Sequence, residues 1–136
     1  MGVVVDTSEL IRIERTRIAD GPRLAGLLPV EPYISAITFG ELVVGARMAD
    51  TVDRQAMREL FIAQLLECAP VLPFGAREAR EWARLYAHLR RTGMMIGERD
   101  LQIAATAIAG EHLVLTQNVA EFERVPGLDL LRIPGL

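Results

Sequence analysis

Four acidic residues stand where this chain leaves an apolar run or enters a helical one. Asp6 closes Gly2-Val3-Val4-Val5, and Glu41 opens the helical stretch after Tyr33-Ile34-Ser35-Ala36-Ile37. Asp100 heads Leu101-Gln102-Ile103-Ala104-Ala105, and Glu121 lies just past His112-Leu113-Val114-Leu115-Thr116. A carboxylate at the end of a buried strand is suited to holding a cation or moving a proton. Four on one edge would form an all-oxygen site for a hard divalent metal. The chemistry such a site serves is metal-assisted phosphodiester hydrolysis.

The surrounding elements must put those four side chains on one edge. Gly2 to Asp6 reads as a short strand buried on both faces, rich in β-branched residues. Thr7 and Ser8 supply helix-start chemistry for Glu9 to Ile13. Asp20-Gly21-Pro22 is a break before a short helix through Leu24, Leu27 and Leu28, stopped by Pro29 and Pro32. Tyr33 to Ile37 is a second strand, with Thr38 capping a helix from Phe39 to about Met48. Asp50 to Asp53 open a helix with Met57, Leu60, Phe61, Gln64 and Leu65 at helical spacing. Val71 to Phe74 is a third strand, marked as an edge by Pro73. The longest helix runs from Ala76 to Arg91, with Trp82, Leu85, Tyr86 and Leu89 as its buried stripe and Thr92-Gly93 as its end. Asp100 to Ala109 is a very apolar helix, His112 to Thr116 a fourth strand, Val119 to Glu123 a helical turn, and Leu128 to Ile133 a last strand. Alternating strands and helices imply an α/β fold with three layers (α/β/α) and a mostly parallel sheet of four to five strands. Ligands in such folds bind beyond the carboxyl ends of the strands, which places Asp6 and the segment from Thr116 to Glu121 on one rim.

At 136 residues the chain is expected to be a single domain, 1–136. Its apolar share of 51% fits buried parallel strands and an apolar interface with another subunit. No stretch has the length of a membrane span and the start lacks a signal-peptide pattern, so the expectation is a cytoplasmic protein without membrane contact. All fifteen basic residues are arginine. The absence of lysine excludes P-loop hydrolases and phosphoaspartate receivers, whose chemistry requires one. A net charge of −3 argues against a general nucleic-acid coat but leaves room for a local basic strip.

Each acid taken alone has an ordinary explanation. Asp6 and Asp100 could cap helices, and Glu41 and Glu121 could be solvated helix residues. That explanation must hold at four positions together, which favours the functional reading. His88 and His112 fall in no metal-binding spacing and read as structural. Cys68, without a partner cysteine, reads as a small apolar residue. Ser8 lacks a nucleophile-elbow pattern. Arg77, Arg84 and Arg91 recur every seven residues and could contact RNA phosphates. A solvated face balanced by Glu78 and Glu81 accounts for them slightly better.

The residues also support a resemblance. Val3-Val4-Val5-Asp6-Thr7-Ser8, Ile37-Thr38-Phe39-Gly40-Glu41-Leu42, Ile96-Gly97-Glu98-Arg99-Asp100-Leu101-Gln102-Ile103-Ala104-Ala105 and Thr116-Gln117-Asn118-Val119-Ala120-Glu121-Phe122 resemble the four signature blocks of PIN domains. Within that superfamily the chain most resembles VapC-type toxins of toxin–antitoxin pairs, over essentially its whole length. The resemblance implies a PIN-like fold and a ribonuclease dependent on Mg²⁺, with Mn²⁺ as substitute. It implies that Asp6, Glu41, Asp100 and an acid of the last block, here Glu121, hold the metal. Ser8 and Thr116 would orient water or phosphate, and Asn118 would position Glu121 or the substrate backbone. Attack by water predicts a 5′-phosphate and a 3′-hydroxyl. The expected partners are a structured RNA such as tRNA or rRNA, a VapB-type antitoxin, and a second copy in a homodimer or a larger heteromer with antitoxin. The competing functions are a catalytically silent PIN-like interaction module and a stand-alone RNA-processing nuclease.

Overall fold

The computed structural model describes residues 1–16 and 21–133. Four strands, β1 (Val3–Val5), β2 (Pro32–Ser35), β3 (Val71–Leu72) and β4 (Leu113–Leu115), form a sheet in the order β3-β2-β1-β4. Every pairing is parallel, with Val4 opposite both Tyr33 and Val114. The fold is α/β, as the alternation implied, and the sheet is parallel throughout its strands.

Side-chain alternation along β1 produces the three layers. Val3 and Val5 face a core built with Leu10, Ile13, Ile34, Leu42, Phe61 and Leu65. These come largely from α1 (Thr7–Thr16), α3 (Ala36–Arg47) and α4 (Val52–Cys68), joined by Leu24 of α2 (Gly21–Leu27). Val4 faces the other side, packing with Leu85 and Leu89 of α5 (Ala76–Thr92), Leu101 and Ala104 of α6 (Glu98–Ala109) and Phe122 of α7 (Val119–Phe122). Period-two projection from a strand buried on both faces thus separates two helical layers. Gly2 permits the start of β1 to pass close to its neighbour: a Cβ there would sit 2.5 Å from the Glu31 carbonyl oxygen. Gly93 ends α5 in the left-handed conformation at φ 69°.

Several boundaries differ from the sequence expectation. Helix α3 begins at Ala36, because the Ser35 hydroxyl accepts the Thr38 amide at 3.0 Å and is the cap expected of Thr38. Ile37 therefore belongs to the helix. Asp6 does the capping at α1, its Oδ1 accepting the Thr7 amide. Helix α6 starts at Glu98, which moves Asp100 into its first turn. On α5, Leu85 and Leu89 are buried, Trp82 is half-buried, and Tyr86 lies exposed beside it with ring centroids 5.4 Å apart. On α4, Phe61, Ile62 and Leu65 are buried while Met57 and Leu60 face outward. The expected last strand shrinks to a single bridge, Leu130 against Val114. β4 is only three residues long, so the ladder beside it has little length. The break expected at Asp20 lies outside the described residues.

Candidate active site

The carboxyl ends of β1 and β4 are tied together just above the sheet, where the Asp6 amide donates to the Leu115 carbonyl at 2.8 Å. This brings Asp6 and Thr116 to the same rim. Asp6 is 2% exposed. Its Oδ1 accepts the Thr7 amide at 2.8 Å, and its Oδ2 accepts the hydroxyls of Ser8 at 2.8 Å and Thr116 at 2.7 Å. Three donors around one buried carboxylate fix its orientation.

Glu41 projects from α3, one turn after the buried Thr38. Its Oε1 accepts the Thr7 hydroxyl at 2.8 Å, and Thr7 Oγ1 lies 3.0 Å from Thr38 Oγ1. Thr7 therefore holds two acids, Asp6 through its amide and Glu41 through its hydroxyl. The outer oxygen of Glu41 pairs with Arg99 at 3.2 Å.

Asp100 and Glu121 form the opposite wall. Asn118 Nδ2 donates to Asp100 Oδ2 at 3.0 Å, while the Asn118 amide donates to Thr116 Oγ1 at 2.9 Å. Burial raises the Asp100 pKa to about 7, helped by its hydrogen bond to Glu121 and by the negative charge of Asp6. Glu121 moves downward, because Asp100 donates to it and the Gly97 amide adds a second bond. The pair thus shares one proton, carried by Asp100.

Asp100 is near enough to Asp6 and Glu121 to feel the charge of each, and Glu41 joins Asp6 through Thr7. Among the described residues, no three of these groups are drawn into the spacing of a closed metal shell. The fit to a hard divalent ion lies in the donors, which are all oxygen, and in the proton that burial and the neighbouring acids favour on Asp100. A cation would take over that proton's role.

The supporting residues chosen from sequence also lie here: Ser8 and Thr116 on Asp6, and Asn118 on Asp100. Arg77 pairs with Glu78 and Arg84 with Glu81, while Arg91 is exposed at the far end of α5, an arrangement that fits the solvated face. His88 is exposed on α5, and His112 accepts the Gly2 amide at the other end of the sheet. Cys68 is half-buried and its thiol donates to the Leu65 carbonyl. Sequence reasoning missed Thr7 as a hinge between two acids, Arg99 on Glu41, and a buried group around Glu9. The adjacency of Arg99 to Asp100 and the three-residue spacing of Glu9 and Arg12 were the available signals.

Residues 3–128 match the family model of the PIN domain. The chain is 34% identical to Ribonuclease VapC of Rickettsia bellii over 98% of both sequences. It is 32% identical to Ribonuclease VapC5 of Mycobacterium tuberculosis over 96% of this chain and 94% of that protein. Among solved structures, DNA-bound VapBC from Salmonella typhimurium superposes with a TM-score of 0.82 at 30% identity, covering 96% of this chain and 97% of that one.

Proposed function

Because this chain belongs to the PIN-domain family, among its VapC ribonucleases of toxin–antitoxin pairs, we propose that it is an endoribonuclease toxin dependent on Mg²⁺ or Mn²⁺. In this reading it cuts a structured RNA such as tRNA or rRNA and so arrests translation and growth. The observation that carries the metal dependence is the Asp6, Asp100 and Glu121 group. Asp100 is half-buried between these acids, and burial first, then its bond to Glu121 and the charge of Asp6, raise its pKa to about 7. Oxygen-only acids so placed are suited to a divalent cation.

Asp6, Glu41 and Asp100 would hold the ion, with Glu121 one carbon longer and placed to act across a water. A bound ion supplies an acidified water and charge on the phosphoryl oxygen. The chain's own residues supply order. Thr116 and Ser8 fix the direction of the Asp6 lone pairs, and Asn118 aims Asp100. Asp100 would have to release its proton to serve as a ligand, since only the ionised carboxylate binds a hard cation well.

Chelation tests the reading directly. EDTA should abolish cleavage, Mg²⁺ or Mn²⁺ should restore it, and Zn²⁺ should restore it poorly because the site offers no His or Cys. Products should carry 5′-phosphate and 3′-hydroxyl ends. Cleavage that survives exhaustive chelation, or a 2′,3′-cyclic phosphate end, would mean that metal-activated water is not the nucleophile.

The proposed partners are a VapB-type antitoxin and a second copy of the chain. Among the apolar residues of α1 and α3, Ile13 and Leu42 are buried in the core. Ile11 and Val43 are half-buried and Val44 is exposed, which narrows the surface. Beside Glu41 runs a groove of about 150 Å³ lined by Ile11, Glu14, Leu42, Gly45, Arg58 and Ile62. An antitoxin segment laid there could extend an arginine to the acids, as Arg99 already does from within the chain. Co-purification with the neighbouring gene product should give an inactive complex. A product that neither binds nor inhibits would favour a stand-alone RNA-processing nuclease. Light scattering of the free chain should report a dimer, as the exposed Val44 and Met48 of α3 suggest.

A further inference from the structure

Glu9 is the one acid buried in the first turn of α1, 1% exposed, and none of the proposed chemistry uses it. Both of its oxygens are occupied by donors from different directions. Arg12, one turn along the same helix, reaches Oε1 with Nη2 at 2.5 Å. Gln117, which follows β4, reaches Oε2 with its side-chain amide. The Arg12 Nε is buried without a hydrogen-bond partner. The guanidinium is therefore oriented for Glu9 at the expense of its own full satisfaction.

What Glu9 grips matters. The Gln117 amide donates to Ser8 Oγ at 3.2 Å, and the next residue is Asn118, whose side chain holds Asp100. Gln117 and Asn118 thus lie between the Asp6 wall and the Asp100 wall. The backbone of this turn is held by the Gln117 amide on Ser8 and the Asn118 amide on Thr116, and Glu9 adds an anchor on the Gln117 side chain from α1.

We propose that Glu9 and Gln117, backed by Arg12, form a positioning clamp that fixes the turn after β4 and so aims Asn118 at Asp100. None of the three touches the reacting groups. A carboxylate is required because both of its oxygens must accept. A neutral amide in its place would turn an NH₂ group toward Arg12 or toward Gln117. The consequence for metal affinity rests on the reading of Asp100 as a ligand, whereas the geometry of the turn does not.

The test uses the full chain and three variants: Gln117→Ala, Glu9→Gln, and the exchange of Glu9→Gln with Gln117→Glu. The exchange restores a donor facing an acceptor with the roles reversed. The readouts are the NMR shift of the Asn118 side-chain amide without metal, Mn²⁺ affinity by calorimetry, and kcat with KM on RNA. Gln117 is exposed, so Gln117→Ala should leave the melting temperature unchanged. It should still move the Asn118 amide toward its free position and weaken Mn²⁺ binding about tenfold. It should lower kcat with KM unaltered, and the exchange should recover most of the loss. An unmoved Asn118 resonance with unchanged Mn²⁺ affinity in Gln117→Ala overturns the clamp, as does an exchange no better than Gln117→Ala. If Glu9→Gln does not fold, Gln117→Ala decides alone. If the unaltered chain binds no Mn²⁺, the metal reading fails and the Asn118 resonance still judges the clamp.

Discussion

The two ends of β1 and β4 are built from similar materials to opposite effect. At the amino end, the Gly2 amide donates to His112 Nδ1 at 2.9 Å, the Gly2 carbonyl accepts the Leu113 amide, and the His112 ring packs on Tyr33 at 4.7 Å. Burial lowers the His112 pKa, which favours the neutral ring that accepts the Gly2 amide. At the carboxyl end, acids face acids and one must keep a proton. The amino end also has the larger cavity, about 410 Å³ lined in part by Met1, Glu111, His112 and Asp129, against about 150 Å³ in the groove beside Glu41. Unrelieved charge, more than volume, is what distinguishes a place prepared for a ligand.

The largest expected separation between the ends is in activity. Asp6→Asn and Asp100→Asn should each reduce cleavage by about a thousandfold, the equivalent of several kcal/mol of lost charge stabilisation. Circular dichroism should show an intact fold in both. Undiminished growth arrest by either variant, expressed without antitoxin, would remove that residue from the site.

Much of this contrast was legible in sequence because it rests on order along the chain. A β-branched run ending in Asp6, and another run leading to Thr116 and Asn118, are visible without coordinates, and parallel topology places their ends on one rim. What could not be read depended on contacts between distant segments. Ser35 displaced Thr38 as the cap because the turn between β2 and α3 is tighter than the apolar run suggested. The last strand dwindled because its length is limited by β4, and no local signal in Leu128 to Ile133 reports that. Glu9 looked like an ordinary first-turn acid of a helix, and only the return of Gln117, 108 residues later, shows that it is buried and gripped.

The amino end should respond in stability instead. Gly2→Ala would push a Cβ to within 2.5 Å of the Glu31 carbonyl oxygen and 2.6 Å of the Tyr33 ring, and the backbone atom has little room to yield. The expected cost is about 1–3 kcal/mol, or a melting temperature lowered by roughly 4–10 °C. Below that melting temperature kcat should be unchanged. A Gly2→Ala protein that melts normally yet cleaves poorly would break the division between the two ends.

The smallest effect is the most specific, because it inverts the usual behaviour of a paired acid. The Asp100 pKa rises in the folded chain from about its ordinary 3.8 to about 7, so between these values the folded state binds the extra proton. Stability attributable to Asp100 must therefore fall as pH climbs through that window, with the full cost present above pH 7. His112 works the other way: its pKa is depressed by burial, so its contribution grows as pH rises toward its ordinary 6.5. Glu78, depressed by the Gly75 amide and then by Arg77, affects only more acidic solutions, where its contribution is lost as pH falls. Subtracting the Asp100→Asn profile from that of the unaltered chain cancels the groups the two proteins share. In metal-free buffer at pH 8, Asp100→Asn should melt higher by about 2–5 °C, a modest figure because Asp100 is only half-buried and partly screened by solvent. The gap should narrow as pH falls through this window and close below about 3.8. Adding Mg²⁺ at pH 8 should raise the unaltered chain and leave Asp100→Asn nearly unmoved, since an amide is a poor ligand for a hard cation. If the variant melts lower than the unaltered chain in metal-free buffer at pH 8, Asp100 is a stabilising acid like those elsewhere in the fold, and the charge crowding that sets the carboxyl end apart is not there.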